Sequence, residues 1–275
     1  MNRPDSLVRR RLALGAVALA LAPRARAEER VRISGSGSGT GGMQLLALAF
    51  MRSTPGVQVE VLPALGSTGG IRALLLGGID IAVSNRAPNH KETAHAPVQT
   101  TLYANTPFVV AVHRDLGITA LSGTELAALY HDSGARFANG HRARPVLRLA
   151  DATDTDLLKA MDPAMALALA TAARRRGMLD AATDSECADL IEHTPGAFGP
   201  STLALIESEK RPLVALAING IAPSLDNLAA RRYAYSKSLL MVLAAKPSAP
   251  TQAFFDFARS LPARRLLATA GHGEA

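Results

Sequence analysis

One cysteine, no tryptophan and an aromatic content of 4% limit what can hold this 275-residue chain together and what it can bind. Cys187 has no partner within the chain, so no internal disulfide forms and the fold rests on its apolar core. So few aromatics argue against a nucleic-acid surface, which interleaves them with a clustered basic face. The sequence also has no HExxH, no close histidine pair on one helix face and no GxSxG. That removes the positive case for a zinc hydrolase or a serine hydrolase, without excluding an enzyme. His90 and His95 flank Glu92 at a spacing that reads as surface, and no metal or cofactor is expected.

Long apolar runs are scarce too. The segment from Leu12 to Ala22, behind Arg9, Arg10 and Arg11, falls short of the about 20 residues a permanent membrane helix needs. Ala25-Arg26-Ala27 follows with small residues at the positions a signal peptidase reads, so residues 1–27 are expected to be a secretory signal. The arginines leave the general and twin-arginine export routes both open. No cysteine follows the run, so no lipid anchor is expected. The formal charge of +7 owes much to this segment: beyond it, 24 Lys+Arg face 22 Asp+Glu, a balance of +2. That leaves a mixed, solvated surface and a periplasmic, monomeric chain.

What the chain does have is alternation of strand and helix patterns. Val31 to Ser34, Val57 to Leu62 and Ile79 to Ser84 read as strands, with helices at Met43 to Arg52 and Ile71 to Leu76 between them. Thr106 to His113 reads as a crossing strand, Ser122 to Tyr130 as a helix and Pro145 to Leu149 as a strand. Thr155 to Arg176 is helical with a break near Asp162-Pro163. Later strands are expected at 197–201, 212–219 and 236–243, and two amphipathic helices at 253–260 and 263–270.

Two Gly/Ser/Thr clusters stand between strand and helix, Ser34 to Gly42 and Gly66-Ser67-Thr68-Gly69-Gly70. A strand turning into a helix offers free backbone N–H groups and the positive end of the helix dipole, and hydroxyls add donors. Neighbouring parallel strands place such turns together at their carboxyl ends, where open α/β sheets bind ligands. Ser84-Asn85-Arg86 ends the third strand beside them, and an arginine there can grip an oxyanion bidentately. Gly37 to Gly42 also fits GxGxxG, with Glu60 near the spacing of a ribose-binding acid. Glu60 lies inside its strand, however, and an exported protein has little access to a dinucleotide. No lysine follows the glycines as a nucleotide P-loop requires. Asp180, Asp184, Glu186 and Asp189 read as a solvated helix face, with Cys187 a small buried residue within it.

The ordered set GSGSGT, GSTGG, DIAVSNRAP and TPGAFG (Thr194 to Gly199), with the ending ARSLPARRLLATAGH, resembles the periplasmic phosphate-binding proteins of ABC importers. The resemblance covers residues 31–113 well and 190–275 moderately. It implies an α/β, two-lobed periplasmic binding fold with a hinge, lobe I formed by 28–113 and 236–275 and lobe II by 114–235. It implies a non-enzymatic protein that captures phosphate or a related oxyanion between the lobes, without cofactor, for the membrane subunits of an ABC importer or a membrane sensor. The implied ligand-binding residues are Gly39, Thr40, Ser67, Thr68, Ser84, Asn85, Arg86, Arg148 and Thr153.

Two departures bear on the ligand. The family has an aspartate after the strand-end serine, which accepts the proton of hydrogen phosphate; here that position is Asn85. The second lobe's Ser-Gly-Thr is replaced by Ala152-Thr153-Asp154. Asp151, Asp154 and Asp156 crowd this helix start, either as caps or, for Asp151 or Asp154, as the proton acceptor lost at Asn85. Two other classes stay open: an exported enzyme using the cradle for a phosphoester, and a module binding an organic anion or a protein.

Overall fold

The computed structural model describes residues 29–94 and 96–275; the expected signal segment and His95 lie outside them. Among the described residues, eleven strands and eleven α-helices follow one another. The first part runs β1 (Glu29–Gly35), α1 (Gly37–Ser53), β2 (Val57–Val61), α2 (Gly66–Leu75), β3 (Ile81–Ser84), α3 (His90–Thr93) and β4 (Val98–His113). Then come β5 (Ala120–Leu121), α4 (Gly123–His131), β6 (Arg144–Arg148), α5 (Thr153–Lys159), α6 (Met165–Ala173), β7 (Leu179–Ala181), α7 (Asp184–His193) and β8 (Ala197–Thr202). The chain closes with α8 (Leu203–Ser208), β9 (Leu213–Ala215), β10 (Ala217–Ile218), α9 (Leu225–Ala229), β11 (Ser236–Ala244), α10 (Ala249–Ala258) and α11 (Leu261–Ala268). No helix of the described residues is long and apolar enough to cross a membrane.

The sheet order is β2-β1-β3-β11-β4-β8-β6-β7, with β9 also on β4. β4 is the shared element: residues 98–107 pair antiparallel with β11, and Phe108 to His113 pair with β8 and β9. Its stretch from Phe108 to Val112 is fully buried, as its unbroken apolar run demands of a strand covered on both faces. One core packs α1, α10 and α11 against β1, β3 and β11 around Met43, Leu46, Phe50 and Phe254. Another packs α4 and α6 around Tyr130, Phe198 and Met165. The two cores lie on either side of the shared strand β4, which makes two lobes, as expected from the sequence.

Several boundaries differ from expectation. α1 begins at Gly37 rather than Met43, so most of the first glycine cluster is the helix's own opening turns and not a loop. Four of its first six residues are glycines because their neighbours fill the space. A β-carbon on Gly37 would meet Ser185, on Gly39 Val83 and Tyr103, on Gly41 Ser208, and on Gly42 the His272 ring. Glycine costs about 1 kcal/mol against alanine in a helix, so close approach on every side outweighs propensity here. α2 likewise starts at Gly66, five residues before the expected Ile71, so the second cluster is helical too. His90 to Thr93 is a short helix with an Asn89–Glu92 capping box. The expected strand at 212–219 is broken between β9 and β10 by the buried Leu216.

Candidate functional site

Two pairs of parallel strand ends meet at one place. β1 and β3 pair in parallel and end at Gly35 and Ser84; β6 and β7 pair in parallel and end at Arg148 and Ala181. Each lobe therefore delivers the carboxyl edge of its own sheet, the edge at which α/β folds collect ligands. Gly35 makes the first exit possible, since φ is 137° there and α2's Gly70 packs onto its backbone. Ser36, N-cap of α1, is held by its N–H to the Val83 carbonyl at 2.8 Å.

Four charged side chains are sealed between these edges: Arg148, Lys237, Asp154 and Asp184, whose side chains are 6%, 3%, 3% and 5% exposed. Arg148 Nη1 lies 3.3 Å from Asp154 Oδ2 and 3.7 Å from Asp184 Oδ1. Lys237 Nζ donates to Asp184 Oδ1 at 2.6 Å, contacts Asp154, and stands 3.4 Å from Ser38 Oγ. Ser36 Oγ donates to Asp184 Oδ2 at 2.9 Å and also touches Asn85 Oδ1, so one hydroxyl proton faces two acceptors. Asp184 is the first residue of α7 and lies against the start of α1.

Burial inside a charge cluster sorts the groups. Burial alone would raise Asp184, but Lys237, Arg148 and the Ser36 hydroxyl hold it well below the usual carboxylate range. Asp154 is raised instead: burial dominates, opposed by Lys237 and Arg148 and reinforced by the Asp184 charge. Lys237 is raised, its two carboxylate neighbours outweighing its burial. Cys187 and Tyr130, packed beside the cluster, are both pushed up by burial and stay neutral.

The Arg148 guanidinium is not fully satisfied internally. Among the described residues, Arg148 donates only from Nη2, to the Ala182 carbonyl at 3.3 Å; Nε and Nη1 make no hydrogen bond. A guanidinium this deep with idle donors is costly, and it is the kind of group that an oxyanion completes.

The expected site residues fall into two sets. Arg148 belongs to the buried cluster, Asn85 reaches it only through Ser36, and Thr40 and Gly39 lie in the first turn of α1 beside it; Thr40 Oγ1 donates to the Gly37 carbonyl at 3.1 Å. Ser67 supports Asn85 by accepting its N–H at 3.0 Å. The second set forms a separate network. Arg86 is engaged bidentately by Glu92 at 2.7 and 2.8 Å and donates to Thr68 Oγ1 at 2.9 Å, while Ser84 Oγ donates to the Arg86 carbonyl. The sequence reading took Arg86 as free for a ligand; the capping-box glutamate of α3 occupies it. Thr153 is exposed at the start of α5, as is Asp151 just before it, and Asp156 pairs with Lys159 on the surface.

Asp184 is the main correction, since it was read as part of a solvated face and is instead buried. Its neighbours Asp180 and Asp189 are exposed as expected, and Glu186 caps α7 by accepting from the Ala182 and Thr183 N–H groups. Sequence reasoning missed Lys237 altogether: it stands between Ser236 and Ser238 ahead of the apolar run of β11, and the available signal was that alternation puts it on the same buried face as Leu239 and Met241. A cavity of about 360 Å³ lined by Arg142, Arg144, Arg175 and Arg176 opens elsewhere, at the amino end of β6. That is the opposite end of the strand from Arg148. Among the described residues no cluster of His, Cys, Asp and Glu could hold a metal.

Residues 22–260 match the family model described as a PBP superfamily domain. No curated protein matches the sequence. Among solved structures, the chain is similar to a phosphate ABC transporter substrate-binding protein with bound phosphate from Clostridium perfringens: TM-score 0.72, 18% identity, 90% of this chain and 100% of that one. It is also similar to the periplasmic molybdate-binding protein of Azotobacter vinelandii, with TM-score 0.62, 15% identity, and 89% and 99% covered. An ABC-type phosphate transport receptor from Vibrio cholerae aligns with TM-score 0.55 at 20% identity over 90% of this chain and 100% of that one. At these identities the likeness is one of fold.

Proposed function

The chain belongs to the PBP superfamily, and from that premise we propose that it is an exported solute-binding protein that captures a small oxyanion, phosphate or a related one, between its lobes. The observation that carries the reading is Arg148, buried where the strand ends of both lobes meet, with Nε and Nη1 undonated. Lys237 supplies a second cation, and Ser36, Ser38 and the start of the seventeen-residue α1 supply neutral donors. Such a set holds a dehydrated anion without a metal. Neighbours of the same fold named for phosphate and molybdate support the ligand class and suggest delivery to the membrane subunits of an ABC importer. A membrane sensor would be served by the same capture.

Catalysis has little support. The one thiol in the region, Cys187, is fully buried, held protonated by its surroundings, and donates to the Pro200 carbonyl.

Thermal unfolding of the purified chain against phosphate, arsenate, sulfate, molybdate and small carboxylates tests the reading. An anion at 100 times its dissociation constant adds about 2.7 kcal/mol to stability, a shift of several degrees. A selective rise with one or more of these anions is expected. Unchanged unfolding with all of them, confirmed by calorimetric titration, would rule it out.

A further inference from the structure

The cradle is electrically neutral before any solute enters. Arg148 and Lys237 are matched by Asp154 and Asp184, and all four are shielded from water. Glu186 is exposed at the start of α7, where it accepts backbone N–H groups and acts on Arg148 from outside the sealed set, and Cys187 and Tyr130 are neutral, so neither α4 nor α7 adds a further buried charge.

The two carboxylates differ in what they touch. Asp154 contacts only Arg148 and Lys237. Asp184 reaches across to the other lobe: one oxygen accepts from Ser36 at the start of α1, and the other accepts from Lys237 and faces Arg148. Ser36 makes no capping bond within α1, and α1 has no acid in its first turn. Its hydroxyl is turned to Asp184 instead. Lys237 and Ser36, two of the donors that an anionic solute would recruit, are thus already holding a carboxylate.

We propose that the Asp184 carboxylate is a tethered occupant of the anion cradle, on which the lobes close without solute, and that the solute displacing it is a singly charged oxyanion. The inference rests on reading the cleft as an anion site. Charge balance sets the class. With Asp184 swung out, Arg148, Lys237 and Asp154 leave one positive charge, which a monoanion neutralises. A dianion would leave a net negative charge buried, which is heavily penalised. Tethering also sets a threshold: an intramolecular competitor acts at an effective concentration that reaches the millimolar range. Apparent affinity falls by the fraction of chains in which the cradle is vacant.

The test compares the wild-type chain with Asp184→Asn, which keeps the shape and removes the charge. Interlobe distance is read by small-angle scattering without anion, and acetate and sulfate are titrated by calorimetry as singly and doubly charged probes. Three results are expected: the wild type is closed without anion, the variant is more open, and the variant binds acetate at least tenfold tighter while both chains prefer acetate to sulfate. A wild type that is open without anion, a variant that binds no tighter, or a preference for sulfate would each overturn the inference while leaving the anion reading standing. If neither chain binds any anion in the wider panel above, the anion reading itself fails. Should Asp184→Asn not fold, Ser36→Ala removes the hydroxyl that holds Asp184 across the lobes and must open the chain in the same way.

Discussion

Lys237 Nζ donates to Asp184 Oδ1 at 2.6 Å, tying β11, one of the strands nearest the junction, to the first residue of α7. Removing one side of a buried pair strands the other charge, at a cost of about 3–5 kcal/mol. Lys237→Met keeps the side chain's length and its packing over Phe108 but leaves two carboxylates facing Arg148 alone. A fall of about 3–5 kcal/mol in urea unfolding at pH 7 is expected. Lys237→Met combined with Asp184→Asn is expected to lose less than the sum of the two, because the stranded charge goes with its partner. Additive losses would mean that the two residues do not act on each other.

Arg148 lends itself to a subtler change. Lysine at this position keeps the charge that offsets Asp154 and Asp184, but lacks Nε and the second terminal nitrogen of the guanidinium fork. Arg148→Lys is therefore expected to fold and to lose tenfold or more in affinity for whichever anion raises the wild type's unfolding temperature. Calorimetric titration alongside urea unfolding separates the two effects. Equal affinity in the variant would show that the idle donors do not meet the solute.

Much of this architecture is written in local pattern. The alternation that marks β1, β2, β3, β8 and β11, and the break near Pro163 between α5 and α6, follow from period and turn chemistry alone. The glycine clusters lie at the carboxyl edge of the sheet, where their place between strand and helix patterns puts them. What the sequence hides is partnership. Arg86 at a strand end reads as an anion ligand because nothing local reveals that Glu92, six residues on, curls back to hold it. Asp184 sits among Asp180, Glu186 and Asp189 in a stretch that is polar by composition, and only the meeting of α7 with α1 buries it. Lys237 is hidden in the same way: between Ser236 and Ser238 it reads as a polar strand start, and only its alternation with Leu239 and Met241 puts it on the buried face, where its charge must be paired.

The glycines of α1 give a test of why that helix starts where it does. Gly42 faces the His272 ring, and a methyl group there would have to push the C-terminal segment away from the helix. Overpacking of this kind costs about 1–3 kcal/mol, against the helix propensity gain of about 1 kcal/mol that alanine brings. Gly42→Ala is expected to lower the urea midpoint, while Gly134→Ala, at an exposed turn with no crowding at the new carbon, changes it little. A stabilised Gly42→Ala chain would show that the contact with His272 is loose and that helix propensity decides at this position.

His272 itself predicts an acid limit on stability. The ring is almost fully buried, with Nδ1 on the Ala270 carbonyl at 2.8 Å and Nε2 without a partner, and burial pushes its pKa down to about 4. An unfolded chain takes up this proton below about pH 6.5, and the folded chain does so only near pH 4. Between those values the unfolded state binds more protons, so stability falls as the pH is lowered, by about 3 kcal/mol in all. Asp184 does not confuse this window: its depressed carboxyl contributes stability that is lost only as pH falls below the ordinary carboxylate range. His272→Gln retains a donor for the Ala270 carbonyl and removes the titration. Urea unfolding of both chains at pH 6.5, 5.5 and 4.5 is expected to show the wild type losing stability faster than the variant. Parallel lines for the two chains would mean that the ring is protonated in the folded state after all.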